Sequence, residues 1–256
     1  MTQAPVRVAI AGALGRMGQA VARSAEGRDD IEVVARFDRP GAEGEGLAPM
    51  AQALGEAQVV VDFTVPEASV ALAEQAAGRG GLALVIGSTG FSPDQLRRID
   101  QAAERIAIVR SGNFSLGVNM LLGLVERAAR ALPADFDIEV FEAHHRRKVD
   151  APSGTALMLG EAAARGRGTT LAEARLPPHD GLTGARAGGI GFSVVRGGGI
   201  IGEHSVLFAS EEEVLTLSHS ASDRGLFARG ALAAAGWPAG RPAGLYDMQD
   251  VLGLKA

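Results

Sequence analysis

The densest polar run in the 256-residue chain is Glu142-Ala143-His144-His145-Arg146-Arg147-Lys148-Val149-Asp150-Ala151-Pro152-Ser153-Gly154-Thr155. Two imidazoles, two guanidiniums and an ammonium occupy consecutive positions, in a protein whose formal charge is −5. A basic patch on an acidic protein favours a small anionic molecule. Lys148 is one of only two lysines among 25 basic residues, the other being Lys255. Arginine stays protonated, but a lysine can release a proton near neutrality when its surroundings lower its pKa. The run continues into Pro152-Ser153-Gly154-Thr155, a good helix start. Amides of Gly154 and Thr155, with the Thr155 hydroxyl, suit a carboxylate there. A solvated charge run is the usual explanation of clustered basic residues. The His pair, the adjoining helix start and the choice of lysine weigh against it here. Adjacent histidines rarely face one ion, and the chain has no cysteine and no HExxH spacing, so no metal is expected.

A second group lies near the amino end. Gly12-Ala13-Leu14-Gly15-Arg16-Met17-Gly18 falls between an apolar run and a helical pattern. Glycines there let backbone approach a pyrophosphate, and the helix start offers N–H groups and a positive dipole end. The spacing is G-x-x-G-x-x-G rather than G-x-G-x-x-G, so the context carries as much weight as the motif. Asp38, after the second strand-like run, suits the adenosine ribose hydroxyls of NAD, and Arg39 suits the 2′-phosphate of NADP. Both NADH and NADPH are therefore expected. Gly87-Ser88-Thr89-Gly90 and Ser111-Gly112-Asn113-Phe114 sit at strand ends where small residues let a nicotinamide lie against backbone. A third cluster, Arg196 to His204, is glycine-rich. A glycine hairpin is its simplest reading, with Glu203-His204 able to support the basic site.

The elements that must position these residues follow from periodicity. Val6–Ala11, Ile31–Phe37, Val59–Phe63, Leu82–Ile86 and Ile106–Arg110 read as strands. Helices are expected at Gly15–Ala25, from Pro66 to about Arg79, and after Ser92 as N-cap. This alternation predicts an α/β, Rossmann-like doubly wound parallel sheet. Beyond Ser111 the pattern changes. A helix around Leu121–Ala128 precedes a strand at Ile138–Phe141, a Gly/Pro-rich loop is expected over 166–189, and strand-like runs follow at Ile190–Arg196, Glu203–Phe208 and Glu213–His219. Strands this close suggest an antiparallel or mixed sheet. Arg224–Ala235 returns to helix. We therefore expect a dinucleotide-binding domain over 1–115 and 224–256, and an inserted α+β substrate-binding domain over 116–223.

Composition excludes several classes. Hydrophobic residues make up 46%, enough for a buried core. The mild acidity argues against nucleic acid. No apolar run approaches the ~20 residues that cross a bilayer, and the first residues lack a signal-peptide pattern. A cytoplasmic location is expected, with no disulfides.

The segments VAIAGALGRMG, DFTVPEA, IGSTGF, GNFSLGVN, EAHHRRKVDAPSGTA, RGGGIIGEH and LYDMQDVLGL, spread from residue 6 to about 254, resemble the 4-hydroxy-tetrahydrodipicolinate (dihydrodipicolinate) reductase family. The resemblance implies nicotinamide-dependent reduction of a cyclic dicarboxylate in the diaminopimelate route to lysine, and a homotetramer built by the inserted domain's sheet. It implies His144 as acid/base, Lys148 as proton donor, and His145, Gly154 and Thr155 as substrate contacts. By position it makes Gly12, Ala13, Leu14, Gly15, Arg16 and Met17 the pyrophosphate loop and Asp38 and Arg39 the ribose contacts. Gly87, Ser88, Thr89, Ser111, Gly112, Asn113 and Phe114 become the nicotinamide side. The chain departs at Val65, where some relatives carry Arg, at Arg147, where a relative carries His, and in a short loop before Gly184. The rival readings are another small-acid dehydrogenase of the same architecture and a non-catalytic NAD(P)-sensing module.

Overall fold

Short runs of Val, Ile, Leu and Ala, too apolar to face water on either side, build the first sheet. The structure, a computed structural model, describes residues 4–42 and 46–255. Its strands are β1 (Val6–Ala11), β2 (Ile31–Phe37), β3 (Val59–Asp62), β4 (Ala83–Ile86), β5 (Ala107–Arg110) and β10 (Gly244–Tyr246). They lie in the order β10-β5-β4-β3-β1-β2, and every pairing is parallel. Helices α2 (Met50–Glu56), α3 (Pro66–Arg79) and α4 (Pro93–Ala103) cover one face, where Ala53, Ala73 and Ile99 meet Val60 and Leu84. Helices α1 (Arg16–Ala25), α8 (Gly225–Gly236) and α9 (Met248–Val251) cover the other through Val21, Leu232 and Met248. Chain order reverses between β1 and β3, and such a switch point is where open α/β sheets hold ligands, outside the carboxyl ends of the strands.

Backbone fit is tight where α8 crosses the segment after β5. A Cβ placed on Gly230 would stand 1.7 Å from the Phe114 carbonyl oxygen. Gly230→Ala should therefore lower unfolding stability by at least about 2 kcal/mol through overpacking. A urea denaturation midpoint equal to wild type would refute this.

The chain divides into two compact units, 1–116 with 225–256, and 117–224. The second unit is built on β6 (Asp137–His144), β7 (Ile190–Arg196), β8 (Glu203–Ala209) and β9 (Val214–Ser220), in the order β7-β6-β8-β9. The sheet is mixed, with β6 parallel to β7 and antiparallel to β8. Helices α5 (Leu116–Ala131) and α6 (Gly154–Gly166) pack Val118, Leu121, Val125, Leu159 and Ala163 against Ile138, Val140, Val206 and Phe208.

Several expectations need correction. The Ile138–Phe141 strand continues to His144 and so carries Glu142 and His144 within the sheet. The 166–189 stretch contains a short helix, α7 (Leu171–Ala174), started by a Thr170/Glu173 capping box, and an Arg175–Ile190 bridge. Helices α2 and α9 and strand β10 have no counterpart in the periodicity reading, since each is at most seven residues long. The glycine run after Arg196 is not a hairpin, because β6 lies between β7 and β8.

Candidate active site

The alternation of β6 puts Glu142 and His144 on the face that carries Ile138 and Val140. Glu142 is fully buried and serves as a shared acceptor. Its Oε1 accepts from the Ser153 amide at 2.9 Å and from Arg196 Nη2 at 2.7 Å. Its Oε2 accepts from Arg196 Nη1 at 2.7 Å and meets His144 Nδ1 at 2.5 Å. Burial works against ionisation, yet the Arg196 fork, His144 and the Ser153 amide together hold this carboxyl below the usual glutamate range. With Nδ1 committed to Glu142, Nε2 is the remaining nitrogen of His144. A Cβ on Gly202 would stand 3.2 Å from that atom, so glycine keeps its neighbourhood open.

Register brings in the other partners. His204 lies opposite Glu142 on β8, and His219 lies opposite His204 on β9. The His144 and His204 rings meet edge to face with centroids 5.1 Å apart. His204 Nε2 lies 3.1 Å from Ser153 Oγ, which also caps α6 by accepting from the Ala156 amide. Burial, reinforced by nearby His144, lowers His204 to about 4, so it is neutral at physiological pH. Lys148 Nζ lies 2.9 Å from Asp150 Oδ2. That ammonium draws the Asp150 carboxyl below its ordinary value. Desolvation, then the Arg147 and Arg224 charges, lower His145. Gly154 is exposed on the first turn of α6 and carries an amide for which the helix has no internal acceptor.

In the first unit Gly12 adopts φ +69°, and a Cβ on it would stand 2.8 Å from Thr64 Cγ2. A Cβ on Gly18 would reach 2.3 Å from the Gly12 carbonyl oxygen. The N-cap of α1, Gly15, offers no side-chain cap, and the first turn has no acid. An uncapped helix start behind a close glycine turn fits a pyrophosphate. Asp38 accepts from the Leu14 amide at 2.9 Å and the Arg39 amide at 2.8 Å, while the Arg39 side chain is exposed. Asp38 thus fixes the glycine turn as well as ending β2.

Gly87, Ser88 and Thr89 follow β4, with Ser88 buried and Thr89 exposed. The Ser111–Phe114 turn is bonded internally, Ser111 Oγ donating to the Asn113 carbonyl at 2.7 Å. Phe114 is a core residue, packed edge to face on Phe63 at 5.6 Å, so only its backbone can serve a ligand. Val65, at the departure from the family pattern, is 56% exposed. Beneath these turns Asp62 is fully buried, and burial pushes its carboxyl up, opposed by the nearby Ser69 hydroxyl and by the hydrogen bonds from Thr64.

The structure thus gathers Glu142, His144, Lys148 and His145 as their proximity in sequence suggests, brings Ser153 and the expected His204 to them, and adds Arg196. Glu203, expected to help, is exposed, because strand alternation turns it away from His204. The available signal was the i, i+2 spacing of Glu142 and His144 on an apolar strand, which puts a carboxylate beside an imidazole. Among the described residues no group of three or more His, Asp or Glu is placed to hold a metal ion, and no helix is long and apolar enough to cross a membrane.

Comparison with known proteins agrees over the full length. The family model described as dihydrodipicolinate reductase, N-terminus, matches residues 6–114, and that for the C-terminus matches 117–252. The chain is 72% identical to 4-hydroxy-tetrahydrodipicolinate reductase of Caulobacter vibrioides, over 98% of both chains. It is 51% identical to the reductase of that name from Cereibacter sphaeroides, over 96% of this chain and 98% of the other. Among solved structures, dipicolinate-bound dihydrodipicolinate reductase from Paenisporosarcina sp. TG-14 superposes with a TM-score of 0.80 at 25% identity, covering 96% of this chain and 98% of that one. Matched across both units, the chain belongs to the dihydrodipicolinate reductase family.

Proposed function

We propose that the protein reduces 4-hydroxy-tetrahydrodipicolinate to tetrahydrodipicolinate with NADH or NADPH, the step named for its relatives in C. vibrioides and C. sphaeroides. In this reading unit 117–224 binds the cyclic dicarboxylate and the other unit binds the coenzyme. The observation that carries the site is the Glu142–His144 pair clamped by Arg196. The Glu142 carboxylate on Nδ1 fixes the orientation of the imidazole and leaves Nε2 as the nitrogen that faces the substrate. Lys148 adds a second cation, and His145, Gly154 and Thr155 meet the substrate's carboxylates. The dipicolinate held by the Paenisporosarcina relative is a dicarboxylate of the same class.

Gly12–Met17 would hold the pyrophosphate, Asp38 and Arg39 the adenosine ribose, and the Gly87–Thr89 and Ser111–Phe114 turns the nicotinamide half. The bound coenzyme supplies the hydride. The 4-hydroxyl leaves as water to give the conjugated ring that takes up the hydride, and His144 and Lys148 stabilise the charge that then develops on the ring and deliver a proton to it. The sheet face turned away from α6, with Val195 42% and Val214 60% exposed, is the surface through which we propose four copies pair.

The test supplies the condensation product of pyruvate and aspartate semialdehyde and follows NADH and NADPH absorbance separately. Both coenzymes should be consumed. Arg39→Ala should raise KM for NADPH at least about tenfold, the worth of a charge-assisted hydrogen bond, and leave that for NADH unchanged. An unaltered NADPH constant would remove Arg39 from the site, and no consumption of either coenzyme would remove the reaction.

A further inference from the structure

We infer that Asp62 is a positioning residue for the coenzyme, acting through Thr64 to hold the glycine turn after β1 and the Gly87–Thr89 turn after β4 in one arrangement. This rests on the coenzyme reading above. Asp62 pairs in register with Ala11 of β1 and Ile86 of β4, so the neighbouring strands place apolar residues where β3 ends in a carboxyl. A strand end serving only the core would do the same, because an unbalanced buried carboxyl is costly.

Asp62 has a specific use in the structure. Its Oδ1 accepts both from the Thr64 amide at 2.8 Å and from Thr64 Oγ1 at 2.6 Å. Its Oδ2 is buried with no hydrogen-bond partner among the described residues. The pair of bonds fixes the Thr64 rotamer, which seats the methyl Cγ2 against Gly12. From the same hydroxyl the contacts continue to Ser69 Oγ at 3.4 Å, and from there to Ser88 Oγ at 2.6 Å. The Asp62 carbonyl also accepts from the Gly87 amide at 2.8 Å. One residue is therefore tied to the turns assigned to the pyrophosphate and to the nicotinamide side, by its side chain through Thr64 and by its main-chain carbonyl to Gly87. None of the four polar side chains needs to touch the coenzyme for its affinity to depend on them.

The experiment titrates full-length enzyme with NADH by fluorescence and measures kcat at saturating NADH for Asp62→Ala, Asp62→Asn and Thr64→Val. Asp62→Ala and Thr64→Val should each raise the NADH Kd about tenfold, the equivalent of one net hydrogen bond, with the larger change in Kd rather than kcat. Asp62→Asn keeps an acceptor oxygen for Thr64 and should bind close to wild type. A purely structural role would reduce the fraction of folded protein and the titration amplitude while leaving Kd unchanged. Wild-type Kd in Asp62→Ala and Thr64→Val, or Asp62→Asn as damaging as Asp62→Ala, would overturn the inference. If Asp62→Ala does not fold, the near-isosteric Thr64→Val decides. Failure of the wild type itself to bind NADH would instead sink the coenzyme reading.

Discussion

His144→Gln and Lys148→Ala each lower kcat by about 10²–10⁴-fold, the usual contribution of a positioned general acid, while NADH affinity stays at the wild-type value. The expectation follows from where the hydrogen bonds go. His144 Nδ1 is committed to Glu142, and glycine at 202 leaves the space beside Nε2 open. Glutamine keeps some of the shape of histidine but cannot carry a proton, so its loss measures acid catalysis rather than packing. Lys148 is partly buried beside Asp150, and alanine there removes a cation that no neighbouring arginine replaces with a transferable proton. The residues proposed for the coenzyme belong to the other unit, which is why binding of NADH is the control. Turnover near wild type in both variants would end the assignment of these two residues.

Glu142→Ala is expected to cost about 3–5 kcal/mol of stability, the range seen when one partner of a buried pair is removed. It strips acceptors from Arg196, His144 and the Ser153 amide together. Stability of the unit also falls with acid, and the sign follows from linkage. His204 is lowered from 6.5 to about 4, so the unfolded chain binds the extra proton first. The stabilisation is complete above pH 6.5 and is lost as pH falls toward 4. Glu142, also lowered from its ordinary 4.5, loses its share further down, as pH falls through its folded value. Urea midpoints at pH 7.5, 6 and 5 should decline in the wild type and decline less in His204→Gln, which keeps a polar group for Ser153 but cannot titrate. A midpoint for Glu142→Ala within error of wild type at pH 7.5 would show that the carboxylate is not holding this unit together.

What could be read from the sequence was what is local in it. The Gly12–Gly18 turn, the Ser92 cap and the Ser153–Thr155 helix start are each decided within a few residues. Ser92 caps α4 as expected, and the structure adds Gln95 as the second half of a capping box. The basic cluster was visible because its members are consecutive. Arg196 and Gly202 were not visible as partners of His144, and His204 only as a support for the basic cluster, since their meeting depends on β6 lying between β7 and β8, and no local pattern encodes register. The burial of Phe114 was also beyond local reading. Its place at a strand end suggested a ligand contact, and with its ring packed on Phe63 and the core only its backbone is left for one. Helix α7 was hidden because four residues are too few for a period to emerge.

The central place of β6 has a consequence for synthesis on the ribosome. Both of its neighbours are translated later, β7 from Ile190 and β8 from Glu203. At roughly 5–20 residues per second this strand waits several seconds for its mates. During that wait Asp137, Glu139 and Glu142 give the nascent strand a run of like charges that discourages stacking with another growing copy. The carboxylate that later grips Arg196 is thus, until β7 is made, one of three negative charges on an unpaired strand.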